Sequence, residues 1–212
     1  AKVVLHPDRF VISDLTAGIG GGSLTGGGTI RADHWLPTRY DLSAKIRDAQ
    51  VKWVDALPAA IGRADLAFDG PAGALLLHGD VTVEEMVFAD RIDWEDWVIE
   101  YREDVVVDAA TMTDEPGLFA LDVHIEADET VRLQNNLAEG AATADLRLIG
   151  DTARTGLLGE IVVDDALVFL QDREFRVDRG RISYRDPWSW NPDVDFELIT
   201  DVQRRDQRYR IA

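Results

Sequence analysis

The sequence predicts an all-β, repetitive fold, and an internal repeat together with an alternation of apolar and polar residues leads to that prediction. Residues 64–66, Ala-Asp-Leu, return 80 positions later as residues 144–146, and Gly79 returns as Gly159. Such self-similarity is typical of stacked supersecondary units. The repeated piece alternates apolar and polar residues with a period of two, which indicates β-strands.

The alternation extends along the whole chain. Gly18–Gly28 is glycine-rich and could be a flexible linker, but Leu24 and Ile30 have strand-like spacing, which favours a turn followed by a strand. Little helix is expected, at most one turn near Asn135–Ala142. The predicted strands include, in order, Phe10–Ile12, Leu42–Ile46, Val51–Trp53, Leu66–Phe68, Leu75–Val83, Val87, Ile92–Trp94, Leu121–Ile125, Val131–Leu133, Leu146–Leu148, Leu157–Val163, Leu167–Phe169, Phe175–Val177, Ile182–Tyr184, Val194–Leu198 and Tyr209–Ile211.

The alternation is interrupted between residues 103 and 118, where Asp114-Glu115-Pro116-Gly117 is a turn or loop pattern. We therefore expect a first β-repeat unit over residues 1–102, a connecting loop over 103–118 and a second β-repeat unit over 119–212, all within one continuous β-structure.

The charge narrows the classes of function. The chain has 212 residues and a net charge of −18. Nucleic-acid binding needs a basic face to neutralise phosphates, and binding to anionic headgroups through polybasic patches needs clustered cations. The acidic balance argues against both. Cysteine is absent, which excludes disulfides, thiol catalysis and Cys-ligated zinc.

The sequence has no apolar run of about 18 residues and no N-terminal segment resembling a secretion signal. The chain begins with Ala1 and not with methionine, so we expect it to be a section of a longer protein, with any anchor or targeting signal outside it.

No catalytic constellation is found, and no metal or cofactor is expected. The glycine run lacks the spacing of nucleotide-binding loops. Acidic pairs such as Asp164-Asp165 lack the context of a calcium loop, which favours a solvated face. The histidines lack a partner at metal-ligand spacing, and His78 and His124 fall on the polar sides of their strands.

Two pairs of tryptophans have two possible interpretations. A partner surface could contain Trp94, Trp97, Trp188 and Trp190, although local packing that fixes a loop explains them as well.

A sheet with one apolar face must bury that face. It can close into a sandwich or barrel, or curl into an open trough. Closure is the commoner solution, but a repeat suggests an array that grows along one axis. The abundance of Asp and Glu on the other face also protects an open sheet from edge-to-edge aggregation.

The second unit resembles the TamB C-terminal domain, within the wider AsmA-like, bridge-like lipid transfer group. The matching segments of the second unit are Val131–Asn136, Ala144–Gly150, Leu158–Val163 and Phe175–Tyr184. The first unit resembles upstream repeats of TamB at Asp14–Gly18, Gly27–Ile30 and Ala64–Gly70. The resemblance extends from about Phe10 to Ile211.

The resemblance implies a periplasmic section of a protein anchored in the inner membrane of a diderm bacterium. It implies a curled, antiparallel-type sheet that forms a taco-like trough with a hydrophobic concave face. It also implies roles in phospholipid transport between the membranes and in assembling outer-membrane β-barrel proteins with the barrel protein TamA or a related assembly factor. It brings no catalytic residues.

We therefore expect an elongated trough that shields phospholipid acyl chains and has no enzymatic activity. An assembly factor that docks TamA by β-augmentation is the alternative, and a closed β-sandwich that only spaces other domains is a third possibility. The residues predicted to line the groove are Leu42, Ile46, Leu66, Phe68, Leu77, Val81, Val83, Val123, Ile125, Leu146, Leu148, Ile161, Val163, Phe169, Val177 and Ile182. A β-bulge would exchange the two faces beyond it.

Overall fold

The computed structural model is one open sheet of 12 strands, and its described residues contain no helix, so the predicted all-β fold is confirmed. The structure describes residues 1–54, 57–88, 117–170, 173–189, 191–204 and 207–211. The strands are β1 Lys2–His6, β2 Arg9–Ile19, β3 Gly22–Asp33, β4 Leu36–Val54, β5 Leu57–Pro71, β6 Leu76–Phe88, β7 Ala120–Gln134, β8 Ala138–Asp151, β9 Thr155–Leu170, β10 Arg173–Tyr184, β11 Asp193–Arg204 and β12 Gln207–Ile211.

The order of the strands in the sheet follows their order in the chain. Neighbours pair antiparallel except β6 and β7, which run parallel, so the sheet is mixed. Parallel neighbours cannot be joined by a tight turn, and the chain connects these two through residues 89–119. The predicted strand at Ile92–Trp94, the tryptophans at 94 and 97, and all but the last two residues of the predicted connecting loop lie outside the described residues.

The sequence repeat is also a structural repeat, in which β4–β6 correspond to β7–β9. In the first unit Ala64 pairs with Val81 across β5 and β6. In the second, Ala144 pairs with Ile161 across β8 and β9. The repeated segments β4–β6 and β7–β9 are therefore each a three-stranded antiparallel meander, and they join at the parallel β6–β7 pair.

The two faces of the sheet differ in chemistry. Side chains paired across a ladder share a face, and one such row runs from Ile46 through Ala64, Val81 and Ile125 to Leu146. We call this apolar side the inner face. The opposite, outer face alternates with it and includes a row from Lys45 through Asp65 and Asp80.

The two ends of the sheet are distinguished by their turns. The turns after β1, β3, β5, β8 and β10 lie at one end, which we call the upper end, and β7 begins there. The turns after β2 and β7 lie at the other, lower end. The glycine-rich stretch is a turn and a strand, as favoured from the sequence, because β2 and β3 are joined at Gly20–Gly21 with φ of 55° and 85°.

At Asn135–Ala142 a turn leads directly into β8, so no helical turn forms there. The Asn135 side-chain oxygen accepts hydrogen bonds from the backbone N–H groups of Leu137 and Ala138, both at 2.9 Å. An asparagine that satisfies its own turn in this way competes with helix formation.

The sheet is curled, because its inner face is partly buried although no second layer covers it among the described strands. Extensive contacts between the described strands occur only between ladder neighbours. Val83, Val163 and Val177 are nevertheless only 5%, 3% and 3% exposed. An open, curved sheet accounts for both observations.

A row of β-bulges crosses the sheet transversely and explains the curvature. Register shifts occur at neighbouring levels on β5 through β10, and on β4 Asp48 has a φ of 52°. At each level, apolar residues on both sides of the bulge face inward, such as Val83 and Met86 around the exposed pair Glu84-Glu85. Bulges bend strands and increase their twist, so an aligned row of bulges bends the whole sheet along one line.

Candidate functional site on the inner face

All of the residues predicted to line the groove, except Phe169, lie on the inner face. Ladder pairs connect Leu42 with Phe68, Phe68 with Leu77, and Val123 with Leu148. Ile161 pairs with Ile182. Val83, Val163 and Val177 belong to apolar clusters formed with residues of this face. The groove prediction thus corresponds to one continuous surface, although its role in binding lipid is a separate question.

Phe169 differs from the expectation and lies on the outer face. It pairs with Glu174, whereas the adjacent Val168 packs against the inner cluster that contains Val163 and Ala166. Val163 and Ala166 both face inward although they are three positions apart, because the strand bulges between them. The bulge shifts the alternation by one residue, so Phe169 no longer shares a face with Val163.

The inner face has a cavity of about 240 Å³ in its N-terminal half. Its lining includes Ile12 and Leu15 from β2, Leu42 from β4, Leu66 and Phe68 from β5, and Leu77 from β6. On a flat sheet β2 and β5 are about 14 Å apart. Their side chains line one cavity here, as expected from a concave surface.

Two of these lining residues, Ile12 and Leu15, were not predicted from the sequence. They are three positions apart, which strict alternation places on opposite faces. A bulge between them, with Asp14 at a φ of 54°, puts both on the inner face. The available signal was a pair of polar residues, Ser13-Asp14, between two apolar ones, since aspartate tolerates a left-handed conformation better than most residues.

Away from the cavity, buried clusters narrow the inner face. One cluster contains Ile61, Ala64, Val81 and Val123 on β5–β7. A second contains Ala127, Ala144 and Val83, with Leu146 and Ile161 packed against it, and a third contains Ala142, Val163 and Val177. The members of these clusters, apart from Leu146 and Ile161, are only 1–8% exposed. The groove is therefore open at the cavity and narrow along a buried band from β5 to β10.

An aromatic group lines the upper side of the open part. The rings of Tyr40 and Phe68 meet edge to face with centroids 6.1 Å apart, and those of Phe68 and Phe119 do so at 5.3 Å. Such pairs stabilise their arrangement beyond the area they bury. Phe119 comes from the segment just before β7, so it fixes the start of the second repeat against the first.

Ion pairs cover part of the outer face. Arg147 binds Asp122 in a bidentate arrangement, with Nε–Oδ1 and Nη2–Oδ2 distances of 2.6 and 2.8 Å. The hydrogen bond from Arg147 lowers the pKa of the Asp122 carboxyl below its usual range. Asp65 contacts Arg63 and lies 3.5 Å from the ammonium of Lys45, and the hydrogen bond from Arg63 lowers the Asp65 pKa.

His124 bridges three strands of the outer face. Its Nε2 lies 3.0 Å from a carboxylate oxygen of Asp145 on β8, and its Nδ1 lies 3.4 Å from one of Asp80 on β6. The hydrogen bond with Asp145, aided by Asp80, raises the pKa of His124. His78 similarly meets Asp69 at 2.8 Å. Both histidines are on the polar side, as predicted, and each ring remains about two-fifths exposed.

The described part of the chain contains no cluster of three or more His, Asp or Glu side chains arranged to hold a metal ion. The outer-face carboxylates contact arginine, lysine or histidine at the positions described above, which is what a solvated, charge-paired surface requires.

Comparison with protein families assigns the chain to a family. The TamB C-terminal domain family matches residues 13–211. The chain belongs to this family. No curated protein matches the chain in sequence. TamB membership supports a role in the bacterial cell envelope and an association with the outer-membrane machinery in general, and the TamB family is not known for enzymatic activity.

Among the described residues, no helix has the length and apolarity needed to cross a bilayer.

Proposed function

We propose that this TamB section shields phospholipid acyl chains in its inner face during transport between the inner and outer membranes, without a chemical step. The observation that supports the proposal is the continuous apolar inner face of an open sheet, with no second layer over it among the described strands. The section is proposed to lie in the periplasm, as part of a protein anchored in the inner membrane.

The energetics of the proposal are simple. Each CH₂ of an acyl chain loses roughly 0.8 kcal/mol when it moves from an apolar phase into water. A groove lined by Leu42, Leu66 and Phe68 removes that cost along its length, and a charged headgroup can stay in water at the open side. Movement along such a surface needs no catalytic residue.

The structure also supports an unequal groove. The open part has a cavity of about 240 Å³, which is below the range of about 300–1000 Å³ for pockets that enclose drug-sized ligands. It would hold part of an acyl chain. Passage over the valines and alanines of the buried band requires the curled sheet to open there.

The test is mass spectrometry of an organic extract of the purified protein, before and after incubation with phosphatidylethanolamine liposomes. We expect bound phospholipid in the wild type and its loss in Leu148→Asp, which puts a charge on the inner face. Leu158→Asp is the matched control, because Leu158 pairs with Arg147 on the outer face of the same hairpin. Circular dichroism checks that each variant is folded.

Either of two results would overturn the proposal. One is the absence of phospholipid in the wild type after incubation. The other is equal loss of phospholipid from folded Leu148→Asp and Leu158→Asp, because the effect would then not depend on the face.

A second candidate function is docking of TamA or a related barrel assembly factor by β-augmentation, and the free edge of β1 favours it. β1 pairs only with β2 among the described strands, and Val3 and Leu5 are 55% and 62% exposed. An unpaired edge can accept a strand of a partner.

Proline substitutions test the edge, because proline removes a backbone donor. The N–H groups of Val3 and Val4 point in opposite directions, so only one of Val3→Pro and Val4→Pro affects the free edge. Loss of pull-down of the barrel protein in that variant alone, with phospholipid retained, would favour docking over transport. Unchanged pull-down in both would exclude docking at β1.

A further inference from the structure

Several large apolar side chains are exposed together at the upper end of the sheet. Trp35 and Leu36 lie at the tip of the β3–β4 hairpin and are 62% and 71% exposed. Leu118, just before β7, is 83% exposed, and Trp188, between β10 and β11, is 45% exposed. We call Trp35, Leu36, Leu118 and Trp188 the upper rim.

The backbone at the β3–β4 tip is strained in a way that presents Trp35 to solvent. His34 and Trp35 have φ of 49° and 70°, so both are in the left-handed region. Such two-residue turns favour Asn and Gly, and a bulky residue there is an outlier. Strain of this kind is retained where a residue serves a function. One side of the Trp35 ring is held by Phe10, with centroids 6.0 Å apart.

The other rim residues are also held on ordered backbone. The N–H of Leu118 donates to the Thr152 hydroxyl at 2.7 Å. The N–H of Trp188 donates to Asp186 at 3.0 Å. The guanidinium of Arg154 lies 4.3 Å above the Trp188 ring centroid. Hydrogen bonds of the backbone therefore hold Leu118 and Trp188 in positions where their side chains are exposed.

The described turns of the lower end, at residues 20–21 and 135–137, expose less apolar surface. Leu137 in the second turn is only partly exposed, and Ile19, which precedes the first turn, is 36% exposed. The four residues of the upper rim are 45–83% exposed, so the most exposed large apolar side chains of the described turns lie at the upper end.

The geometry of the rim fits a flat apolar surface better than a protein pocket. From the β3–β4 tip to the β10–β11 loop the rim covers seven inter-strand spacings, or roughly 34 Å measured along the curled sheet. Residues that dominate protein interfaces cluster in one well-packed centre. Here they are spread in a row, and tryptophan is the side chain enriched at membrane–water interfaces.

The charges near the rim agree with a phospholipid surface. Acidic side chains beside the tips contact bases: Asp8 contacts Arg9 at 3.9 Å, and Asp193 contacts Arg185 at 3.4 Å. This local pairing reduces the repulsion from phosphates that the net charge of −18 otherwise causes. Arg154 places a cation directly over the apolar Trp188 ring, so a phosphate beside this ring would have a positive charge to contact.

We propose that the upper rim inserts into the interfacial region of a phospholipid bilayer and lays the open side of the sheet against it. The inference adds a membrane contact to the groove and does not depend on the groove holding lipid.

The experiment is flotation of the 212-residue protein with phosphatidylcholine vesicles at physiological ionic strength. We expect the wild type to float and Leu36→Ser/Leu118→Ser to float at least about tenfold less, because two exposed leucines no longer leave water. Val3→Ser is the control, since Val3 is also exposed, at 55%, but lies on the β1 edge. Leu148→Asp should float like the wild type, which separates this test from that of the groove.

A second readout locates the contact. Phospholipids with brominated acyl chains should quench tryptophan emission, and Trp35→Phe should reduce that quenching while flotation is unchanged, because phenylalanine keeps the apolar tip. Failure of the wild type to float would overturn the proposal. So would flotation of Leu36→Ser/Leu118→Ser at the wild-type level, or a wild-type dimer in gel filtration that this variant dissociates, which would make the rim a self-contact.

Discussion

At the scale of single residues, glycines at equivalent positions of the two repeats determine how closely neighbouring strands approach. Gly79 has a φ of 139°, and a Cβ added there would lie 2.1 Å from the carbonyl oxygen of Asp65. Gly159 has a φ of 118°, and its Cβ would lie 2.1 Å from the carbonyl oxygen of Asp145. The glycines that recur in the sequence are therefore required by the backbone.

We expect Gly79→Ala to destabilise the protein by more than about 2 kcal/mol, because both the conformation and the space exclude a side chain. Gly73→Ala is the control, since no atom lies within 4 Å of the added Cβ and Gly73 has no positive φ. Its effect should be within about 0.5 kcal/mol. Urea unfolding followed by circular dichroism measures both, and equal midpoints would contradict the prediction.

A second prediction at this scale concerns His124. Because Asp145 and Asp80 raise its pKa, its stabilising contribution is full below the unfolded pKa and is lost as the pH rises through the folded pKa. The ring is 42% exposed, so solvent screening limits the contribution to below about 1 kcal/mol.

An NMR titration of the His124 ring protons should show a raised pKa that falls towards the ordinary value in Asp145→Asn. The matched control is Asp128→Asn, because Asp128 is an exposed carboxylate of the same strand without a contact to His124 among those described. A His124 pKa that is unaffected by Asp145→Asn would show that the contact does not persist in solution.

At the scale of strands, the bulges determine which side chains reach the inner face. The alternation in the sequence was sufficient to place Leu66, Phe68 and Leu148 on the inner face. It failed for Phe169 because the bulge between Val163 and Ala166 exchanges the faces of the residues that follow it. The face of a residue beyond a bulge cannot be predicted from alternation alone, since the additional residue is identified only by its pairing with the neighbouring strand.

The same reasoning explains the acidic pairs. Glu84-Glu85 and Asp164-Asp165 recur 80 residues apart, and both pairs lie where the register of their strand shifts. In a bulge, consecutive residues can both avoid the inner face, as the exposed Glu84 and Glu85 do. Acidic pairs of this kind predicted a solvated surface, and the exposure of Glu84, Glu85 and Asp164 agrees with that prediction.

We expect deletion of Glu85 to be far more damaging than removal of its charge. The deletion shifts the rest of β6 by one residue and turns Met86 from the inner to the outer face, with a cost of about 2 kcal/mol or more for the lost packing. Glu85→Gln keeps the bulge and should change the unfolding free energy by less than about 0.5 kcal/mol. Denaturant unfolding of both variants checks this, and similar losses would show that the charge matters more than the bulge.

At the scale of the whole molecule, the open sheet predicts an extended particle in solution. A compact chain of 212 residues has a radius of gyration of about 17 Å. Eleven inter-strand spacings make this sheet about 53 Å wide, so we expect a clearly larger radius from small-angle X-ray scattering. A value near 17 Å would indicate that the sheet closes on itself in solution.

The resemblance to TamB was the part of the sequence that indicated an open trough, because the base rate for a sheet with one apolar face favours closure. Alternation fixes the apolar face but not what covers it. The parallel pairing of β6 and β7 could not be predicted either. The alternation of apolar and polar residues does not show whether a strand begins at the upper or the lower end of the sheet.

That parallel pair has a consequence for how such a protein can change in length. A repeat with an odd number of antiparallel strands begins at one end of the sheet and finishes at the opposite end. If the next repeat has the same orientation, its first strand begins at the same end as the first strand of the previous repeat. The strands at the junction are then parallel, and a long connection must run from one end of the sheet to the other. Each duplication then lengthens the sheet by three spacings, about 14 Å, and keeps the inner and outer faces and the upper and lower ends of successive copies aligned. The length of such a sheet can therefore change in whole repeats of 80 residues.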